Sequence, residues 1–569
     1  MIINPFIRNL FFLISFLFII STSDKNYIFS DTIPYIEMTK LILSSQFYDA
    51  INPYWSPLYS LILSFFSLVL FQIQDTFLII QIASIFIYIF QTFCFHFFLT
   101  IFLKYNALNS NNYLSNKQLY IFGFLIYLIC CHLCIPSSYK TPDTLVASFV
   151  FLTFALVLKI INENEKNLNY LSLSLVLSLG YFSKSYFFVV SLFIFFLFFL
   201  LSFVDRKYLT KIIFTTIVFS IICIPFILTI SIKNGSFTIG NSGTYNLYEN
   251  INYNKEPFPF SNDWLKHSSE NNNSKLQIIY KEPQIIKINY TGNIKPTYPI
   301  WFDPTYFYNT NEIDLRIKIR NIVPKFLSNS KDTFYYLKAT LGQFFFAEII
   351  EVNIKQFLFL YLISIIFLFF KINKKVSVSK YTPEIFLILV CVFALTVFTI
   401  ARVQPRYIYP FIIILSFVSV MHLPLNYLFK QNFSISSIVV HLIFIINLYA
   451  FIVIIYGNFN TANSIVDYSD ISSKINRLDL KKETNVAVVG SGTTFQKVAF
   501  LSNLKISHLI SPSNSKEFNL INNHDFSKII DILKKENINY IFYFTRYEFS
   551  TKDQFEKIKD SDFFYFKIN

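Results

Sequence analysis

The segment 57-PLYSLILSFFSLVLFQI-73 has 17 residues and no charge, about the shortest apolar run that crosses a hydrocarbon core of roughly 30 Å as a helix. Its reading decides the topology, because a span here places every later loop on the opposite side. Loop charge settles the choice. If 57–73 dips into the membrane surface without crossing, one set of short loops carries Lys104, Lys117, Lys166, Arg206, Lys207, Lys211, Lys371, Lys374, Lys375, Lys380 and Lys430. The opposite short loops then carry only Lys140, Lys184, Arg402 and Arg406. Short loops rich in Lys and Arg face the cytoplasm, and Arg8 at the start of the first apolar run agrees. The run 57–73 is therefore expected at the surface.

Working outward, candidate spans are 6–22, 76–103, 118–136, 144–161, 169–182, 186–204, 212–232, 353–370, 383–401, 407–422 and 436–456. About eleven crossings put the amino terminus inside and the carboxyl terminus outside. The composition agrees: of 569 residues 54% are hydrophobic, 20% aromatic and only 14% charged, which excludes an ordinary soluble domain. The net charge of +14 accompanies a general richness in Lys and Asn and does not point to nucleic acid. Met1–Ile20 lacks a small-residue cleavage site and is expected to stay as the first helix. All six cysteines lie in apolar runs, and Cys130, Cys131 and Cys134 form no metal-binding pattern.

The expected fold class is a polytopic α-helical membrane protein with a small soluble α/β domain at its carboxyl end. Four segments follow: a transmembrane module 1–232 with a first outer loop 23–75, a large outer loop 233–352, further transmembrane helices 353–456, and an outer α/β domain 457–569. In the last, "NVAVV" from Asn485 and "INYIFYF" from Ile538 read as strands, with a helical "DFSKIIDILKKEN" from Asp525 before the second. "GSGTTF" from Gly490 lacks the third glycine of a dinucleotide fingerprint and reads as an ordinary strand-to-helix turn.

Polar groups at the outer ends of the apolar runs are the candidates for chemistry. Asp31 opens "DTIPYIEMTKLIL", where Glu37, Lys40 and Ser44 share one helical face and Tyr35, Met38 and Ile42 another. Such a helix is expected to lie in the interface plane, apolar face toward lipid. Asp31 also suits a helix N-cap, as does Asp143 at the end of "SSYKTPD". Lys184 interrupts "SLGYFSKSYFFVV", where a charge needs a partner or a route to water. Arg402 and Arg406 bracket a turn in "ARVQPRYIYPF" and could grip a phosphate or carboxylate, or simply anchor the helix. Two carboxylates and up to three cations on one side of a membrane suit chemistry on a lipid phosphate.

The order of these pieces resembles the GT-C membrane glycosyltransferases. An Asp follows helix one, then come an amphipathic helix, "WSPLYSLIL", "TPDTLVASF", "LGYFSKSYFF", and late in the chain "QPRYIYPF" before an outer domain. The likeness is to the bacterial branch of aminoarabinose transferases of lipid A, galacturonosyltransferases of lipopolysaccharide core and protein mannosyltransferase-like proteins. It covers residues 1–230 well and 380–460 more loosely. The resemblance implies a sugar donor on polyprenyl phosphate and transfer with inversion to a lipid, lipopolysaccharide or protein acceptor at the outer face of a bacterial inner membrane. By it, Asp31 is the catalytic base or the carboxylate that orients the acceptor, Asp143 the second acidic residue, and Lys184 with Arg402 or Arg406 the contacts to donor phosphate. Tyr35, Tyr59 and Tyr407 are expected to line the substrate. Thr32 stands where many relatives have Glu, Ser56 where aminoarabinose transferases have Lys, and Ser183-Lys184-Ser185 where the family has a "TKG"-like turn. These departures leave sugar and acceptor open. No Asp-x-Asp pair near the site calls for a metal. The rival readings are a flippase of lipid-linked sugars, which requires ionisable groups at the bilayer midplane, and a membrane-anchored glycan receptor.

Overall fold

The structure is a computed structural model. It describes residues 5–22, 28–73, 75–107, 116–134, 140–163, 166–252, 275–292, 294–307, 330, 382–401, 403–422, 468–478, 480, 483–490, 492–511, 518–545, 549, 551–558 and 561–568. The expected spans 353–370 and 436–456 lie outside these residues, as does Arg402. In chain order the elements begin with α1 (Pro5–Thr22), α2 (Thr32–Leu43), α3 (Phe47–Ala50), α4 (Leu58–Val69), α5 (Thr76–Ala107), α6 (Asn116–Cys134) and α7 (Asp143–Glu163). Next come α8 (Asn167–Ser183), α9 (Tyr186–Ser202), α10 (Lys207–Asn234), α11 (Ser242–Asn252), β1 (Leu276–Lys281), β2 (Gln284–Ile288), α12 (Pro299–Phe302) and α13 (Pro304–Phe307). The chain continues with α14 (Thr382–Ala401), α15 (Pro405–His422), α16 (Tyr468–Asn476), β3 (Asn485–Val489), α17 (Gly492–Leu501), β4 (Lys505–Ile510) and α18 (Asn523–Lys535). It closes with β5 (Tyr540–Phe544), β6 (Glu556–Lys557) and β7 (Phe563–Lys567).

The protein is a mostly helical membrane protein. Four described helices are long and apolar enough to cross a bilayer, over Thr76–Tyr105, Asp143–Asn162, Lys207–Asn234 and Thr382–Ala401. The run that opened the sequence reading forms the 12-residue α4. The chain divides into two compact units, each drawn from three stretches.

The first unit comprises Met1–Asp24, Ile80–Leu228 and Lys318–Asn463. Its interior is aromatic: Phe95 stacks on Tyr127 with ring centroids 4.5 Å apart, and Phe193 on Phe393 at 3.9 Å. Many hydroxyls within the helices bond to carbonyls one turn back, since hydrocarbon offers no water. Ser174, for example, donates to the Tyr170 carbonyl one turn back at 3.0 Å and equally to Thr215 of α10 at 3.0 Å.

The second unit comprises Lys25–Ile79, Thr229–Ile317 and Ser464–Asn569. It holds a seven-stranded sheet in the order β1-β2-β4-β3-β5-β7-β6. The centre, β4-β3-β5, is parallel and each edge antiparallel. Alternation along β3 sends Val486 and Val488 to the face covered by Phe495, Val498 and Ala499 of α17. Ala487 and Val489 face Phe526, Ile529 and Leu533 of α18. The hairpin β1–β2 comes from the large loop, so residues after 457 do not build this sheet alone.

Helix α2 differs from its two-faced reading. Nine of its residues are buried, Thr32–Thr39 and Leu41, including Glu37 at 8% exposure. The cause is tertiary: the Thr297 N–H donates to Glu37 Oε1 at 2.7 Å, so Glu37 meets protein rather than water, while Lys40 and Ser44 on its face stay exposed.

Candidate functional site

The first unit brings three of the sequence-selected charges together. Asp143 is the first residue of α7, where aligned peptide dipoles favour a carboxylate. Lys184 lies between α8 and α9 in an extended conformation, φ −162° and ψ 130°. Its N–H closes α8 by donating to the Gly180 carbonyl at 3.0 Å. Arg406 follows Pro405 in the first turn of α15. A cation at that end opposes the helix dipole and calls for a neighbouring anion.

Asp143 is that anion. Its Oδ1 accepts from Lys184 Nζ at 2.5 Å, and its Oδ2 lies 3.6 Å from Arg406 Nε. The Thr141 hydroxyl donates to Oδ2 at 2.8 Å. Side-chain exposures are 3% for Asp143, 19% for Lys184 and 11% for Arg406, so the carboxylate is buried and the two cations partly so, with Lys184 the most open member. Lys184 Nζ stands 3.8 Å from the Tyr407 ring centroid, and Arg406 Nη2 donates to the Tyr407 hydroxyl at 3.2 Å. The Tyr407 ring packs near Phe398, which in turn meets Tyr186 edge-on at 4.6 Å. Among the described residues one carboxylate faces two cations here. Ammonium and guanidinium groups placed this way match the geometry of a phosphate oxygen.

Behind the cluster, Tyr409, three residues beyond Arg406, accepts a hydrogen bond from Gln91 Nε2 at 2.8 Å. This pair fixes α15 against α5 inside the helical unit. The sequence reading missed Thr141 and Gln91. The hydroxyl two residues before Asp143 was visible as a local pattern, whereas Gln91, 318 residues from its partner, left no signal.

Asp31, Tyr35 and Tyr59 belong to the second unit. Asp31 occupies the N-cap position of α2 with helical dihedrals, φ −67° and ψ −18°, and its side chain makes no cap hydrogen bond. Asp143, the other candidate cap, lies within its helix as the first residue. Tyr35 and Tyr59 are buried at 2% and 1% exposure and meet edge-on with centroids 5.3 Å apart. Burial raises the Glu37 carboxyl above its ordinary value, against the pull of the Thr297 N–H and the Lys505 and Lys40 charges. Burial likewise lowers the Lys497 ammonium, which the charge of Asp31 opposes. Gly490 turns the chain from β3 toward α17 with φ +83°. A Cβ on Gly492 would lie 2.5 Å from Cζ of Tyr298, so that ring covers the start of α17, in keeping with a plain strand-to-helix turn. Among the described residues no group of three or more His, Cys, Asp or Glu side chains could hold a metal ion.

No family model matches the chain, and no curated protein is similar to it in sequence. Among solved structures, ArnT from Cupriavidus metallidurans bound to undecaprenyl phosphate matches with a TM-score of 0.53 at 10% identity, over 98% of this chain and 97% of that chain. The archaeal oligosaccharyltransferase AglB from Archaeoglobus fulgidus, in complex with an inhibitory peptide and a dolichol-phosphate, matches with a TM-score of 0.46 at 13% identity. That match spans 94% of this chain and 69% of that one, and its overlap adds nothing to the assignment. The likeness to ArnT is one of fold alone.

Proposed function

We propose that the protein transfers a sugar, hexose or pentose, from a polyprenyl-phosphate donor to a lipid, lipopolysaccharide or protein acceptor. The observation that carries this reading is the Asp143–Lys184–Arg406 cluster, two cations on one buried carboxylate, in a chain whose fold is similar to that of a protein solved with undecaprenyl phosphate. Lys184 and Arg406 bind the donor phosphate, and Asp143 and Thr141 keep the two cations in place. In the reaction the acceptor hydroxyl attacks the anomeric carbon, the bond from that carbon to the phosphate oxygen breaks, and polyprenyl phosphate leaves. The cations offset the charge that develops on the leaving phosphate. The acceptor proton goes to Asp31, a role supported by motif order in the sequence. Reaction at the outer face of a bacterial inner membrane, with the amino terminus cytoplasmic, about eleven spans and an outer carboxyl-terminal α/β domain, is supported by loop charge.

The test compares envelope glycans and glycolipids by mass spectrometry between cells with the wild-type protein and cells with Asp31→Asn at matched abundance. Loss of one defined sugar from an acceptor, with accumulation of its polyprenyl-phosphate donor, is the expected result. Identical profiles would sink the base role of Asp31. Translocation of lipid-linked sugar by reconstituted vesicles without a new glycosidic bond would replace transfer with transport.

A further inference from the structure

Helix α2 carries Asp31 at its start, and elements of the sheet hold it at three points. At its midpoint the Thr297 N–H binds Glu37 Oε1 at 2.7 Å, while the Thr297 carbonyl accepts from Ile506 of β4 at 2.8 Å. One residue of the large loop thus joins the helix to a central strand. Toward the end of α2, Lys40 Nζ lies 4.8 Å from the ring centroid of Phe500 on α17. One turn earlier on the same face of α17, Lys497 Nζ lies 5.9 Å from the ring of Phe29, two residues before Asp31. The Asp31 carboxylate is not engaged in capping its own helix.

We infer that Lys497, on the first crossover helix of the sheet, is a positioning residue for Asp31, and that the sheet serves to orient the carboxylate at the start of α2. This rests on the base role proposed for Asp31. The physical case is the convergence of contacts. A carboxylate that must take a proton needs a fixed direction, and the Lys497 ammonium, held against Phe29 just before α2, restrains the start of that helix. Lys497 is partly buried, a costly state for an ammonium that a neighbouring carboxylate offsets. Glu37 and Lys40 fix the rest of the helix, so Asp31 cannot rotate away without breaking three contacts with the sheet and its loop.

Two readouts on the full-length protein test this. The first needs no activity. Asp31 opposes the deprotonation of Lys497, so its removal by Asp31→Asn leaves more neutral amine. Acetylation of Lys497 by acetic anhydride at pH 8, followed by peptide mass spectrometry, is then expected to speed up at least about three-fold. The control Asp525→Asn, on α18, should leave the rate alone. An unchanged rate in Asp31→Asn overturns the pairing, whatever the protein's activity. The second readout is the transferred sugar per unit of protein in cells. Lys497→Met at matched abundance is expected to lower it about ten-fold, and Lys497→Arg to restore most of it. Full product in Lys497→Met beside lost product in Asp31→Asn overturns the positioning role and leaves the proposed function standing. Full product in Asp31→Asn overturns the base role instead, and the labelling rate still judges the pairing.

Discussion

Replacing Lys184 by Met separates the structural from the ligand-binding role of the buried cluster. With an effective dielectric of about 20, attraction across the 2.5 Å contact to Asp143 is about 7 kcal/mol, and across the 3.6 Å contact from Arg406 about 5 kcal/mol. Desolvation of the buried groups takes back most of both, so truncating one partner of such a pair costs about 3–5 kcal/mol. Lys184→Met still leaves Asp143 its Arg406 neighbour and the Thr141 hydroxyl, which places the expected cost at the lower end, about 3 kcal/mol. Asp143→Asn strands two cations and should cost a similar amount. The double variant has lost both ends of the contact and is expected to fall short of the sum of the singles by about 2 kcal/mol. The assay is equilibrium unfolding in mixed micelles of mild detergent and dodecyl sulfate, followed by near-ultraviolet circular dichroism. Binding of polyprenyl phosphate is measured on the same four proteins. Removing one charge-assisted contact to phosphate should weaken binding roughly 10- to 100-fold, and here the double variant should not recover. Additive stabilities within about 0.5 kcal/mol would refute the buried pair. Unchanged lipid affinity in Lys184→Met would refute its role toward phosphate.

Three further outcomes are expected. Glu37→Gln keeps an acceptor for the Thr297 N–H and removes a buried charge. Because burial raises the carboxyl above its ordinary 4.5, the wild-type contribution is full below that pH and is lost as pH rises through the raised value. The variant should therefore gain melting temperature over wild type at pH 8 and lose that advantage near pH 4. Gly492→Ala drives a methyl into the buried Tyr298 ring and should destabilise the second unit by about 1–3 kcal/mol, read by hydrogen exchange in β3 and β4. Gln91→Leu leaves the Tyr409 hydroxyl without its 2.8 Å donor in an apolar interior. It should cost about 1–2 kcal/mol of stability in the same micelle titration and leave the second unit's exchange unchanged.

Much of the helical architecture was legible because hydrophobicity and loop charge are local properties. Runs of Phe, Ile and Leu must be helices in hydrocarbon, since no water satisfies their backbone; the predicted 186–204 appears as Tyr186–Ser202 and 383–401 as Thr382–Ala401. Asp143, Lys184 and Arg406 were legible as candidates because each interrupts or borders such a run. What sequence could not supply was their company. A 2.5 Å contact between residues 41 apart, and a third group from beyond residue 400, depend on which helices pack together. The same holds for α2. Periodicity assigned Glu37 to water, but Thr297, 260 residues away, binds it in the interior. It also holds for the sheet, whose edge hairpin comes from a loop about 200 residues before β3. By itself, then, the sequence determined where the chain is helical, which loops are positive and which polar groups border the apolar runs, all set by neighbours along the chain. Only the tertiary structure decided which charges stand together, because electrostatic energy depends on distance in space and on exclusion of water.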